Sequence, residues 1–144
     1  SFRDKTKGWG LYAKYKYLKN ELEKSKVLPS YKSSYYQLFL DSTIYRENCY
    51  SCPYAGSKRI GNITIGDYWG IEEEHQKELQ KKRLKVKKGI SCIIVNNEQG
   101  NVLIQKYSQN INLIESKYNK IANHNKQLNI SSEMPKTRMK IMNI

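Results

Sequence analysis

Cys49 and Cys52, separated only by Tyr50 and Ser51, carry the strongest chemical signal in the chain. A tight turn between thiolates at that spacing brings both sulfurs within reach of one metal centre, and zinc sites and iron–sulfur clusters both use it. The same spacing marks the redox disulfide of thioredoxin-like folds. That use needs a helix starting at the first cysteine, which Pro53 and the glycine-punctuated residues after it oppose. Tetrahedral zinc and iron–sulfur centres generally take four ligands, and the other donors here do not complete the set. Cys92 lies inside the most apolar run, Ile90 to Val95, where a cysteine serves as a small core residue. His75 and His124 stand among polar neighbours and read as surface residues. The missing ligands are expected from outside this chain.

Two further runs present polar groups beside rings. Gly66-Asp67-Tyr68-Trp69-Gly70 follows a short apolar strand. Glycines flanking aromatics suit a place where backbone or rings approach a flat ligand closely. Asp67 could accept hydrogen bonds there; the competing reading is a tight turn with Trp69 in the core. The run is neither the Gly-x-Gly-x-x-Gly dinucleotide fingerprint nor a Walker-type phosphate loop. Near the amino end, Arg3 and Lys5 flank Asp4 beside Phe2, with Lys7 and Trp9 following. Cations beside an aromatic suit a phosphate or carboxylate; an Arg3–Asp4 pair at the domain edge is the alternative. The candidates for cofactor contact are therefore Gly66, Asp67, Trp69, Gly70, Arg3 and Lys5. No nucleophile elbow or serine–histidine–acid arrangement is suggested, and no catalytic residue is assigned.

The elements that must position these groups are short. Alternation from Leu11 to Leu18, a Lys19-Asn20 turn and a return over 21–27 predict a hairpin, with a helix over 11–26 as the competitor. Ser33 or Ser34 caps a helix carrying Tyr35, Tyr36, Leu38, Phe39 and Leu40. Ile63 to Ile65 is a strand, and the charged stretch from Ile71 is a surface helix reaching about Leu84. Ile90 to Val95 is the best strand. A helix over 99–107, a strand over 111–115 and a helix over 118–124 follow, a β-α-β-α order. Together these predict an α+β fold: one small domain over residues 1–144 with a mixed sheet, short helices and a cysteine-containing loop. Residues 127–144 show little periodicity and read as a loosely ordered tail or an arm on a neighbour.

With 26 Lys and Arg against 13 Asp and Glu, the chain carries +13. That balance favours anionic partners, but the basic residues are scattered and no nucleic-acid motif accompanies them, so nucleic acid is not the expected partner. No run approaches the roughly 20 apolar residues of a membrane span, and no secretory amino end is present. The expected setting is cytoplasmic. The chain begins at Ser1, already within a charged cluster, and reads as the carboxyl part of a longer protein.

The FRDK-x-x-GW opening, SSYYQLFL, R-x-x-CYSC, ITIGDYWGI, GISCIIVNNEQG and the late Asn125 and Arg138 occur in one order across nearly the whole chain. This ordered set resembles the carboxyl-terminal domain of the coenzyme F420 hydrogenase/dehydrogenase beta-subunit family. The resemblance implies a flavin-dependent, iron–sulfur oxidoreductase module. Its fully active members bind FAD and a 4Fe–4S cluster and pass electrons between the deazaflavin coenzyme F420 and a hydrogenase, dehydrogenase or other redox partner subunit. It further implies that Cys49 and Cys52 are cluster ligands and that the missing amino-terminal half supplies others. Lys87-Lys88 stand where relatives often carry acidic residues, and Cys92 where an aliphatic one is usual. Many relatives belong to bacterial polysaccharide synthesis, so a degenerate assembly domain is a second expectation. A basic zinc-knuckle module for nucleic acid or an acidic partner is a third.

Overall fold

The computed structural model describes residues 1–81 and 85–142. In chain order it holds strands β1 (Tyr12–Lys19) and β2 (Leu22–Pro29), helices α1 (Ser34–Leu40) and α2 (Glu47–Tyr50), and strand β3 (Ile63–Asp67). Helices α3 (Ile71–Glu74) and α4 (Gln76–Lys81), strand β4 (Ser91–Val95), and helices α5 (Glu98–Tyr107), α6 (Tyr118–Ala122) and α7 (Thr137–Met142) follow. The class is α+β, as expected. The sheet is not mixed: among the described residues β1 pairs only with β2 and β3 only with β4, both antiparallel. Contacts gather the chain into two units, one of Ser1–Tyr50 with the segment from Glu133 onward, the other of Ser51–Ser132.

In the first unit, the hairpin register runs from Tyr12 opposite Pro29 to Lys19 opposite Leu22. Asn20 and Glu21 both take left-handed backbone angles, φ 51° and 63°. Positive φ at both central residues is the turn whose twist matches that of the flanking strands. The end nearest the turn is exposed on both faces, and the other end carries the buried Ala13. Ser33 caps α1 by accepting the Tyr36 amide at 3.3 Å. Tyr36 is fully buried, donates to the Phe2 carbonyl at 2.8 Å, and stacks on the Phe2 ring at 4.2 Å. The hairpin and the capped helix follow the local signals closely.

In the second unit, β3 and β4 pair from Ile63 opposite Val95 to Asp67 opposite Ser91. Tyr68, Ile71, Leu79, Cys92, Ile121, Ala122 and Leu128 form the core. Asn97 caps α5 by accepting the Gly100 amide at 3.0 Å. Residues 111–115, expected as a strand, belong to neither sheet among the described residues. Ile111 is extended, at φ -131° and ψ 142°, but a cavity of about 410 Å³ is lined by Ile111, Leu113 and Ile114 on one side and Ser91 to Ile93 of β4 on another. The apolar pattern accounts for the side chains that line the cavity, although Ile111 and Leu113 stay exposed. Pairing depends on a partner edge at hydrogen-bonding distance, which the pattern does not encode.

The single charged helix expected from Ile71 is broken at His75, whose backbone is at φ -138° and ψ 37°. The expected end at Leu84 lies outside the described residues. The tail is more regular than its sequence suggests. Leu128 is buried, Asn129 donates to the Ala122 carbonyl at 2.9 Å, and α7 carries the buried Arg138. No helix among the described residues is long and apolar enough to cross a membrane.

Candidate functional site

Cys49 belongs to the first unit, in the single turn of α2. A four-residue helix has almost no stability of its own, so tertiary contacts must hold this one. Its holder is Arg138 of α7, 5% exposed. One guanidinium nitrogen, Nη1, faces the Thr43 carbonyl at 2.7 Å, the Tyr45 carbonyl at 2.9 Å and the Tyr50 hydroxyl at 3.2 Å. The other, Nη2, donates to the Glu47 carboxylate. The guanidinium also lies 5.2 Å over the Tyr50 ring, and the Tyr50 hydroxyl donates to the Ser42 carbonyl. The bond to Glu47 raises the Arg138 pKa further above its usual value. The Cys49 amide closes a turn on the Arg46 carbonyl at 2.9 Å.

Cys52 opens the second unit and heads a turn in which the Ala55 amide donates to its carbonyl at 3.2 Å. Gly56 donates to the Gln127 carbonyl at 3.1 Å, and Arg59 donates to the Gly56 and Gln127 carbonyls, which fixes the loop. Both thiols are free and half-buried. No helix starts at Cys49, since α2 ends one residue later. Among the described residues no three His, Cys, Asp or Glu side chains gather as a metal site. Cys92 is free but buried in β4, 3.7 Å from the Asp67 carbonyl, and burial pushes its thiol pKa up. It remains a protonated core residue, as its apolar run suggested. As thiol donors, Cys49 and Cys52 have the chemistry that suits a soft metal or an iron–sulfur cluster.

Gly66, Asp67, Trp69 and Gly70 all lie in the second unit. Gly66 and Asp67 end β3 opposite Cys92 and Ser91. Trp69 is half-buried, while its neighbour Tyr68 is the core aromatic. Gly70 precedes α3 at φ 74°, and a Cβ there would lie 2.2 Å from the His124 ring. The glycine is thus demanded by the protein's own packing. Arg3 and Lys5 lie in the first unit, Arg3 half-buried and Lys5 exposed. Between them, Asp4 is largely buried and accepts from the Thr6 amide at 3.0 Å and the Thr6 hydroxyl, bonds that lower its pKa.

The histidines correct the surface reading. His75 is 3% exposed. Its Nε2 is 2.9 Å from the Ser116 hydroxyl and 3.1 Å from that of Tyr68, which are 2.8 Å from each other. Its Nδ1 is buried without a hydrogen bond, 3.8 Å from the Glu78 carboxylate. The signal was present: His75 is four residues from each of Ile71 and Leu79, both buried, and so shares their helical stripe. His124 is half-buried, packed on Gly70 and 3.6 Å from the Glu74 carboxylate. Ser116 lines both the 410 Å³ apolar cavity and a more polar one of about 460 Å³ that also borders His75 and Glu78.

The family model that describes the carboxyl terminus of the beta subunit of coenzyme F420 hydrogenase/dehydrogenase matches residues 8–120. The match includes Cys49, Cys52 and residues 66–70; Arg3, Lys5 and Arg138 fall outside it. No curated protein and no solved structure matches the chain.

Proposed function

This chain belongs to the family formed by the carboxyl-terminal part of coenzyme F420 hydrogenase/dehydrogenase beta subunits, and from that premise we propose that it is the carboxyl-terminal domain of an iron–sulfur flavoprotein oxidoreductase. In this reading Cys49 and Cys52 are two ligands of a 4Fe–4S cluster, and the remaining ligands come from the amino-terminal half of the same protein. The observation that carries it is the pair of free, half-buried thiols inside the matched segment. Bound at these thiolates, the cluster would accept and release single electrons, and FAD would convert them to hydride transfer.

Within this chain, Arg138 and the turns around Cys49 and Cys52 orient the ligands. Cys92 stays protonated and takes no part. Gly66, Asp67 and Trp69 are proposed as cofactor contacts of the second unit, and Arg3 and Lys5, separately, as anion contacts of the first. The electron partner is a hydrogenase or dehydrogenase subunit or another redox protein, with coenzyme F420 as the donor to test first.

The test is the full-length protein purified without oxygen. Iron content and the broad visible absorbance of an iron–sulfur cluster are measured before and after the double change Cys49→Ser and Cys52→Ser. Loss of both signals is expected. Unchanged iron in the double variant would remove the assignment.

A further inference from the structure

Arg138 is one of the most buried charged groups of the chain, and its guanidinium bonds to one short segment, 43–50. A buried guanidinium must have its donors satisfied, and this one satisfies them on two carbonyls, a phenol and a carboxylate. Glu47 and Tyr50 stand on either side of Cys49, two residues before it and one after. The side chain therefore grips the cysteine turn from both flanks and fixes the carbonyls that lead into it. Nothing within α2 could do so, because one helical turn cannot maintain itself.

We propose that Arg138 is the positioning residue of this metal centre, setting the backbone that aims Cys49 and thereby deciding whether the ligand is preorganised. The inference rests on the reading that Cys49 is a cluster ligand. It concerns geometry, not charge, because Glu47 already neutralises the guanidinium. The planar fork is what the site uses, so lysine, a point charge with three donors, is not an adequate replacement. Groups that orient metal ligands from behind typically matter by roughly 10- to 100-fold in metal affinity.

The experiment compares wild type, Arg138→Lys, Tyr50→Phe and the double cysteine variant in the full-length protein. Three quantities are read: iron per chain, the electron paramagnetic resonance spectrum of the reduced cluster, and the iodoacetamide alkylation rates of Cys49 and Cys52 in the metal-free protein. Arg138→Lys is expected to lower cluster affinity roughly 10-fold or more, to change the spectrum of the residual cluster, and to speed alkylation of Cys49 while leaving Cys52 unchanged. Tyr50→Phe removes one contact of the grip together with the Tyr50 bond to the Ser42 carbonyl, leaves Arg138 its carbonyl and carboxylate partners, and is expected to shift the spectrum and the Cys49 rate in the same direction by less. It keeps the question open to measurement if the lysine variant fails to fold. Wild-type iron, spectrum and Cys49 rate in a folded Arg138→Lys protein, or in Tyr50→Phe if the lysine variant does not fold, overturn the inference while leaving the cysteine assignment standing. Iron retained by the double cysteine variant overturns that assignment, and the inference with it.

Discussion

Gly70→Ala offers the sharpest test of why a glycine stands between Trp69 and Ile71. At φ 74° a side chain is strained whatever the space around it, at about 1–2 kcal/mol for a left-handed residue. The added Cβ would also lie 2.2, 2.3 and 2.4 Å from Cγ, Nδ1 and Cδ2 of His124, far inside contact distance. The nearest clash is with Cγ, the ring atom closest to the backbone, so turning the ring about its own bond does not relieve it. Overpacking of this kind costs roughly 1–3 kcal/mol, so the total should be on the order of 3 kcal/mol. Urea unfolding followed by Trp69 fluorescence, with Trp9 replaced by Phe, reads the second unit alone. Adding His124→Ala should restore the packing part and leave only the backbone strain of about 1–2 kcal/mol. Additive effects of the two changes, or a Gly70→Ala cost below about 0.5 kcal/mol, would refute the packing account. The second outcome would return Gly70 to the role of a ligand-approach glycine.

Two further outcomes follow from the same unit. Burial raises the Tyr68 pKa above its ordinary value of 10.0 and that of Cys92 above 9.0. A folded-state pKa above the unfolded one leaves stability intact below the unfolded value and removes it as pH climbs through the folded value. The second unit should therefore weaken from about pH 9 upward, and Tyr68→Phe should flatten the part of that loss beyond about pH 10; an unchanged slope would exclude Tyr68 as its source. Gly100→Ala, although favourable to a helix by propensity, would set a Cβ 2.1 Å from the Asn62 carbonyl oxygen. Its net effect should be a loss of roughly 1–3 kcal/mol in the same unfolding assay, and a gain would show that α5 can slide at little cost.

Local signals were legible where a residue decides its own conformation. Asn20 in the hairpin turn and Ser33 as a cap stand where their chemistry is needed. What stayed hidden depended on long-range partners. Ile111, Leu113 and Ile114 line a cavity where a strand was expected. His75 looks solvated beside Glu74 and Gln76, yet Tyr68 and Ser116, one of them 41 residues away, draw it inward. Of the candidate site, the spacing of the two cysteines could be read directly. Arg138 could not be tied to Cys49, because no spacing rule connects an α7 arginine to carbonyls more than ninety residues earlier.

That separation sets an order of events during synthesis. The second unit is one continuous stretch, Ser51–Ser132, whereas the first needs residues from both sides of it. Arg138 emerges 95 residues after Thr43, a delay of roughly 5–20 s at ordinary ribosomal rates of about 5–20 residues per second. Throughout that interval the carbonyls of Thr43 and Tyr45 keep their water, and α2 has no grip to hold it. Cys49 is thus made early but seated late, after the continuous unit has had time to fold. A chain that stopped at Ser132 would carry both thiols and lack the means to present one of them.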